Sequence, residues 1–267
     1  MDWGMANRMS RIIRPKGRKT VMLAVDHGYF MGPTTGLENI KKTIDPLLPF
    51  ADTLMLTRGA LRHYVSPDTD VPIVLRVSGG TSILNKNLLH EGITASIEDA
   101  IRLNVAGVAF SIMVGAEFER DTLLAFSEVV DEAQAYGIPV VAVTAVGKEM
   151  ARDARYMSLA SRIAAELGAS IVKTYYVDNF KEVVDTCPVP IVIAGGKKLP
   201  ELDALKMASG AIASGAAGVD MGRNIFQSED PVAMIQAVRA VVHDGTKPND
   251  AHEIFKSVKA KRKWGKR

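Results

Sequence analysis

The chain predicts a single-domain α/β fold, a closed (β/α)8 barrel, and three observations carry that prediction. Its 267 residues sit close to the roughly 250 typical of an eight-fold barrel. Eight short runs of Val, Ile, Leu and Ala recur without strict alternation, the pattern of parallel strands covered on both faces. Polar residues collect at the C-terminal ends of those runs, where such barrels carry their chemistry.

The runs are "TVMLAVDHG" (20–28), "TLMLTRG" (53–59), "PIVLRVSGG" (72–80), "GVAFSIMVG" (107–115), "PVVAVTAVG" (139–147), "SIVKTYY" (170–176), "PIVIAGG" (190–196) and "AGVDMGRN" (217–224). Successive ends are roughly 20 to 34 residues apart, room for one helix and two loops each time. Helical periods fill the gaps. "SIEDAIRLN" (96–104) opens with Ser96 as an N-cap and Asp99 three residues on. "DEAQAYGIP" (131–139) closes at Gly137 before Pro139. "SLASRIAAELGA" (158–169) places Leu159, Ile163 and Leu167 on one face and closes at Gly168. An open doubly wound sheet is the alternative, but its dinucleotide form needs G-x-G-x-x-G after an early strand, and none is present. Residues 1–255 are read as the TIM-barrel domain and 256–267 as a basic tail, expected to be partly disordered.

Composition narrows the functional classes. The chain is 47% hydrophobic and 24% charged, as an ordinary globular protein is. No apolar run reaches the ~18–20 residues of a membrane span, and "MDWGMANRMS" lacks the apolar core of a signal peptide. The single cysteine, Cys187, precludes an internal disulfide and is read as a packing residue of a cytoplasmic protein. The net charge of +3 comes from the last twelve residues, "KSVKAKRKWGKR", which hold seven Lys or Arg; the remainder has 26 basic against 30 acidic side chains. That is a solvated basic tail on a mildly acidic body, a poor profile for a nucleic-acid partner. Five histidines occur without H-E-x-x-H or a Cys/His cluster, so no metal is expected, and no G-x-S-x-G signals a serine nucleophile.

Lys173 is the residue to explain. It interrupts the apolar run "GASIVKTYYV", where a buried charge costs several kcal/mol unless it is paired or given up. A free lysine with pKa about 10.4 is neutral in only about four parts in ten thousand at pH 7, and lowering it to about 7–8 raises that fraction several-hundred-fold. A neutral amine condenses with a ketone to a Schiff base that draws electrons from a neighbouring C–C bond. The alternative is an ion pair with Asp26 or Asp220. The turns "IAGGKK" and "DMGRN" end the seventh and eighth runs, where barrels often bind phosphate. Gly195, Gly196, Lys197, Gly222 and Arg223 are the candidate phosphate contacts, joined by Ser78 and Tyr175 at the ends of the third and sixth runs. Asp26, in "LAVDHG", is the candidate proton carrier. His27 beside it is either a proton shuttle or a histidine satisfied by the backbone.

The blocks "LAVDHGYFMGPTTGL", "TRGALR", "VGKEMARDARYMSLASRIAAELGASIVKTYYV", "PVPIVIAGGKKLPE" and "GAAGVDMGRNIFQSEDPVAM" together resemble the archaeal-type class I aldolase family, and within it the thiolase branch. The resemblance runs from about Asp2 to about His243. It implies that Lys173 is the Schiff-base residue, that Asp26 is the acid/base, and that Gly195, Gly196, Gly222 and Arg223 hold the substrate phosphate. It also implies large homo-oligomers, often decamers. Aldolase members acting on fructose 1,6-bisphosphate, and those making the amino-dideoxy-heptulosonate precursor of aromatic amino acids, carry a tyrosine where this chain has Thr144 and Ala145. The thiolase branch lacks it too. The activity implied first is cleavage of a phosphorylated dicarbonyl, with coenzyme A as acyl acceptor and dihydroxyacetone phosphate and acetyl-CoA as products. No motif for coenzyme A accompanies the resemblance. Aldol cleavage of a phosphorylated sugar is the second activity implied, and a non-enzymatic sugar-phosphate or nucleic-acid binder is the remaining alternative.

Overall fold

The computed structural model describes residues 2–86, 88–144 and 152–264. Each of the eight runs forms a strand: β1 Thr20–Ala24, β2 Thr53–Thr57, β3 Ile73–Arg76, β4 Gly107–Ile112, β5 Val140–Thr144, β6 Ile171–Tyr175, β7 Ile191–Ala194 and β8 Gly218–Met221. All pair in parallel, each with its sequence neighbours, and β8 closes on β1. Residues 145–147 of the fifth run lie outside the described residues. The third run differs from expectation. After β3 its end turns into a two-residue strand, Ser78–Gly79, paired antiparallel with Gly92–Ile93, so the chain leaves the barrel as a hairpin over its mouth.

A strand shows alternate side chains to alternate faces, and here that period sorts the whole molecule. Even-numbered positions of β1, for instance, face the barrel axis. Met22, Met55, Val74, Ala109, Val141, Ile171 and Val192 form one closed apolar cluster with Ile12. The opposite faces join the surrounding helices in a larger core that contains Leu23, Leu54, Leu75, Phe110, Val172 and Ile193. The helix Trp3–Ile12 stoppers the N-terminal end of the barrel: Ile12 is fully buried, and its carbonyl accepts from Thr53 Oγ1 at 3.3 Å. One pleat further along every strand but β2 the interior residues become Ala24, Arg76, Ser111, Val143, Lys173, Ala194 and Asp220, all lining one cavity. Moving two residues takes the barrel from oil to charge.

The helices begin and end where the local signals place them. Ser96 Oγ accepts from Asp99 N at 3.2 Å at the head of Ile97–Arg102. Asp153 Oδ1 caps Ala154–Glu166 through Tyr156 N at 2.8 Å. The chain turns out of Glu119–Ala135 and Ala154–Glu166 at Gly137 and Gly168. The basic tail departs from expectation. Residues 256–264 continue a helix, Pro248–Trp264, whose Ala251 and Phe255 are buried. Its cations meet acids from the turn before the helix Pro231–Asp244: Lys259 pairs with Glu229, and Arg262 Nε reaches Asp230 Oδ2 at 3.1 Å. No helix of the described residues is long and apolar enough to cross a membrane. Cys187 is buried and its thiol is pushed up by that burial.

Candidate active site

A cavity of 270 Å³ opens at the C-terminal ends of the strands. Its floor is charged. Lys173 Nζ stands 2.9 Å from Asp220 Oδ2, and the side chains are 10% and 0% exposed. Met55 Sδ lies 3.9 Å from the same nitrogen. Of the two readings of Lys173, the ion pair with Asp220 is therefore present, but it lines an open cavity and is not sealed in the core.

Asp26 has a different partner. Arg76 Nε donates to Asp26 Oδ2 at 3.0 Å, with both side chains buried. The same guanidinium donates through Nη1 to Ser111 Oγ at 2.5 Å and to Ser78 Oγ at 3.2 Å. Ser78 Oγ accepts from Ser111 N at 3.0 Å and donates to Glu91 Oε2 at 2.6 Å. Tyr29 OH donates to the other Glu91 oxygen at 2.5 Å, and the Tyr29 ring lies 5.1 Å beneath the guanidinium carbon. The hairpin after β3 supplies Glu91, which is how an acid between two barrel strands reaches the barrel mouth. Sequence reasoning singled out Ser78 but passed over Arg76, Ser111, Glu91 and Tyr29. Arg76 carries the same signal as Lys173, a cation inside an apolar run.

Burial alone would raise the Asp26 carboxyl. Arg76 first, then Lys173 and His27, outweigh it and hold the group at about 2, so Asp26 is a carboxylate at neutral pH. Burial pushes His27 down to about 4 against the pull of Asp26, whose Oδ1 is 3.8 Å from Nδ1. His27 is thus uncharged at pH 7. Its Nδ1 is buried without a hydrogen-bond partner, contrary to a histidine satisfied by the backbone, and its ring packs edge-on against Phe226, centroids 5.5 Å apart. Burial also lifts Asp220 above the usual carboxylate range, against the pull of Lys173. The Tyr29 hydroxyl is likewise raised, by burial and by Glu91.

The glycine turns close the far side. Gly222 lets the end of β8 approach β1: a Cβ there would lie 2.4 Å from the Ala24 carbonyl oxygen and 2.5 Å from His27 Cε1. Gly196 has a φ of 66°, with open space where a side chain would be, a backbone state that glycine adopts without strain. Asn224, buried and unflagged by the sequence reading, ties the two turns together. It donates to the Gly195 carbonyl at 2.6 Å and accepts from Leu199 N at 2.7 Å. Arg223 Nε is buried with no hydrogen-bond partner beside the cavity. Gly195, Gly196, Gly222, Arg223 and Tyr175 line the cavity with Asp26, His27 and Lys173. Ser78 and Lys197 do not. Ser78 lies behind Arg76, and Lys197 points to solvent. Tyr175 stands at the rim with the Arg152 guanidinium 4.2 Å over its ring. Thr144 Oγ1 donates to Thr174 Oγ1 at 2.8 Å; Ala145 lies outside the described residues. Among the described residues no three His, Cys, Asp or Glu converge to hold a metal ion.

A parallel barrel with one lysine at the cavity floor, faced by glycine turns after its last two strands, is the architecture of the class I aldolases. The chain belongs to the DeoC/LacD family of aldolases, whose profile matches residues 20–228. It is 58% identical over 260 residues to the 3-hydroxy-5-phosphonooxypentane-2,4-dione thiolase of Photorhabdus laumondii subsp. laumondii, covering 97% of this chain and 89% of that protein. The Salmonella typhimurium protein of the same name is 56% identical over 261 residues, with 97% and 89% coverage. Among solved structures, an archaeal fructose 1,6-bisphosphate aldolase superposes with a TM-score of 0.81 at 28% identity, over 90% of this chain and 100% of that one. Another archaeal aldolase structure, with its catalytic lysine covalently bound to the carbinolamine intermediate, superposes at 0.80 and 28% identity over 90% and 99%.

Proposed function

We propose that this enzyme is a Schiff-base thiolase acting on a phosphorylated 2,4-dione. The observation that carries the reading is Lys173 Nζ on the floor of a 270 Å³ cavity, facing a buried, unpaired Arg223 Nε and two glycine turns. The arginine donor and the amides of the turns receive the phosphate. That anchoring sets the C4 ketone of 3-hydroxy-5-phosphonooxypentane-2,4-dione against Nζ in near-attack geometry.

Nζ adds to C4, water leaves, and an iminium forms. The thiol of coenzyme A then attacks the C2 acetyl carbonyl. The C2–C3 bond breaks as the tetrahedral centre collapses, its electrons passing into a C3=C4 enamine. Protonation at C3 and hydrolysis of the iminium release dihydroxyacetone phosphate and leave acetyl-CoA. Asp26, ionised and clamped by Arg76, serves as a proton or hydrogen-bond acceptor in this scheme and not as an acid. A cavity of this size holds the phosphorylated ketone; the nucleotide of coenzyme A stays outside, with its thiol-bearing arm entering past Tyr175. The names of the closely similar thiolases support the coenzyme A half of the reading. A homo-oligomer in the cytoplasm, where coenzyme A and reduced thiols are available, completes it.

A class I aldolase acting on a phosphorylated sugar is the competing activity. The tyrosine that aldolase members of the family carry for the substrate hydroxyl is replaced here at Thr144, whose own hydroxyl is already given to Thr174. Incubation with the dione and coenzyme A should yield dihydroxyacetone phosphate and acetyl-CoA in equal amounts, with no cleavage when coenzyme A is omitted. Efficient coenzyme A-independent cleavage of fructose 1,6-bisphosphate would assign the enzyme to the aldolases instead.

A further inference from the structure

The buried aspartates of this fold, with one exception, are held by arginine. Asp52 accepts from Val21 N at 2.8 Å and Arg239 Nη1 at 3.0 Å, with His243 Nε2 at 2.6 Å. Asp99 accepts from Arg58, Arg62 and Arg102 at 2.8 to 2.9 Å. Asp26 accepts from Arg76. Asp220 is 1% exposed, and among the described residues no backbone amide, hydroxyl or guanidinium donates to either of its oxygens. Its one close partner among those residues is Lys173 Nζ, 2.9 Å from Oδ2. A carboxylate kept for structure would be given donors, because leaving one buried without them is costly. One kept without them is a poor anchor and a strong proton acceptor.

We propose that Asp220 is a catalytic residue, the base that takes the proton from the Lys173 ammonium and returns it during Schiff-base formation. The inference rests on the Schiff-base reading above. Transfer from Nζ to Oδ2 converts two buried charges into a neutral amine and a carboxylic acid, which a low-dielectric site favours. The other ionisable groups around this cavity are Asp26, His27, Tyr29, Arg76, Glu91, Tyr175 and Arg223; Arg76 and Asp26 are already engaged with each other, and Glu91 accepts from Tyr29 and Ser78.

The steps then balance. The neutral amine adds to the ketone carbon, and the carbonyl oxygen takes the proton held by Asp220. The carbinolamine nitrogen returns a proton to Asp220. The hydroxyl leaves as water on receiving it, so the iminium forms opposite an ionised Asp220. Net, an ammonium and a ketone become an iminium and water.

The test compares borohydride trapping of dihydroxyacetone phosphate by the wild-type enzyme and by Asp220→Asn at neutral pH. The base role predicts trapping at least about 100-fold slower in Asp220→Asn. It also predicts that Asp220→Ala, assayed as a second variant whose side chain introduces no amide, regains speed with added formate. A carboxylate that merely holds the ammonium charged predicts the opposite sign. Removing it would free the amine, and Asp220→Asn would trap as fast as wild type or faster, overturning the inference while leaving the Schiff base intact. No adduct in the wild-type enzyme would overturn both together.

Discussion

Lys173→Met abolishes turnover, by at least about 10⁴-fold, because no other group can occupy the place of the covalent nucleophile. The substitution keeps the length of the side chain and removes the amine, so the loss is chemical rather than steric. It also changes stability in a pH-dependent way. The carboxyl of Asp220 is lifted by burial and pulled down by Lys173; without the lysine it rises further. The folded variant then holds a proton that the unfolded chain releases above about pH 4. Stability is therefore greatest in acid and declines as pH rises through the folded-state value. Thermal unfolding of Lys173→Met across pH 5 to 9 should show a melting temperature that falls relative to wild type as pH increases. A parallel offset at every pH would mean that Asp220 does not feel the lysine.

Arg76→Met gives the second large effect, on folding and catalysis together. It strands Asp26 and removes the donor shared by Ser78 and Ser111. Breaking one side of a buried pair costs about 3–5 kcal/mol, so chemical denaturation should locate a loss of that size. The Asp26 carboxyl, no longer held at about 2 by the guanidinium, rises with burial and ceases to be a fixed anion. A fall in kcat/KM of about 10²- to 10³-fold is expected from the lost preorganisation. Arg76→Lys separates charge from geometry. An ammonium restores a cation but cannot span Asp26, Ser78 and Ser111 as the planar guanidinium does. It should recover part of the stability and little of the activity. Full activity in Arg76→Lys would show that the charge alone matters.

These two cations show what a sequence discloses about a barrel and what it hides. All eight strands were legible because a parallel strand covered on both faces must be apolar almost throughout. For the same reason a lysine in "SIVKTYY" stands out, and so, in principle, does the arginine in "PIVLRV". The glycine turns were legible because close backbone approach demands glycine. Tyr29 and Glu91 were not. They reach the site from a four-residue helix, Gly28–Met31, and a hairpin whose strands are two residues long, both too short to carry a period. Asn224 stayed hidden because its role is to join two loops that meet only in space. The helix Pro248–Trp264 was missed because its basic residues suggested solvent. Their partners Glu229 and Asp230 come alongside only once the preceding helix is packed.

Catalysis turns on whether the Lys173 nitrogen condenses with a ketone. Reducing the enzyme with borohydride in the presence of dihydroxyacetone phosphate, followed by peptide mapping, addresses this without assuming a natural substrate. One stable adduct per chain is expected, on the peptide containing Lys173. An adduct on any other lysine, or an unmodified Lys173 in an enzyme that still turns over the dione, would contradict it.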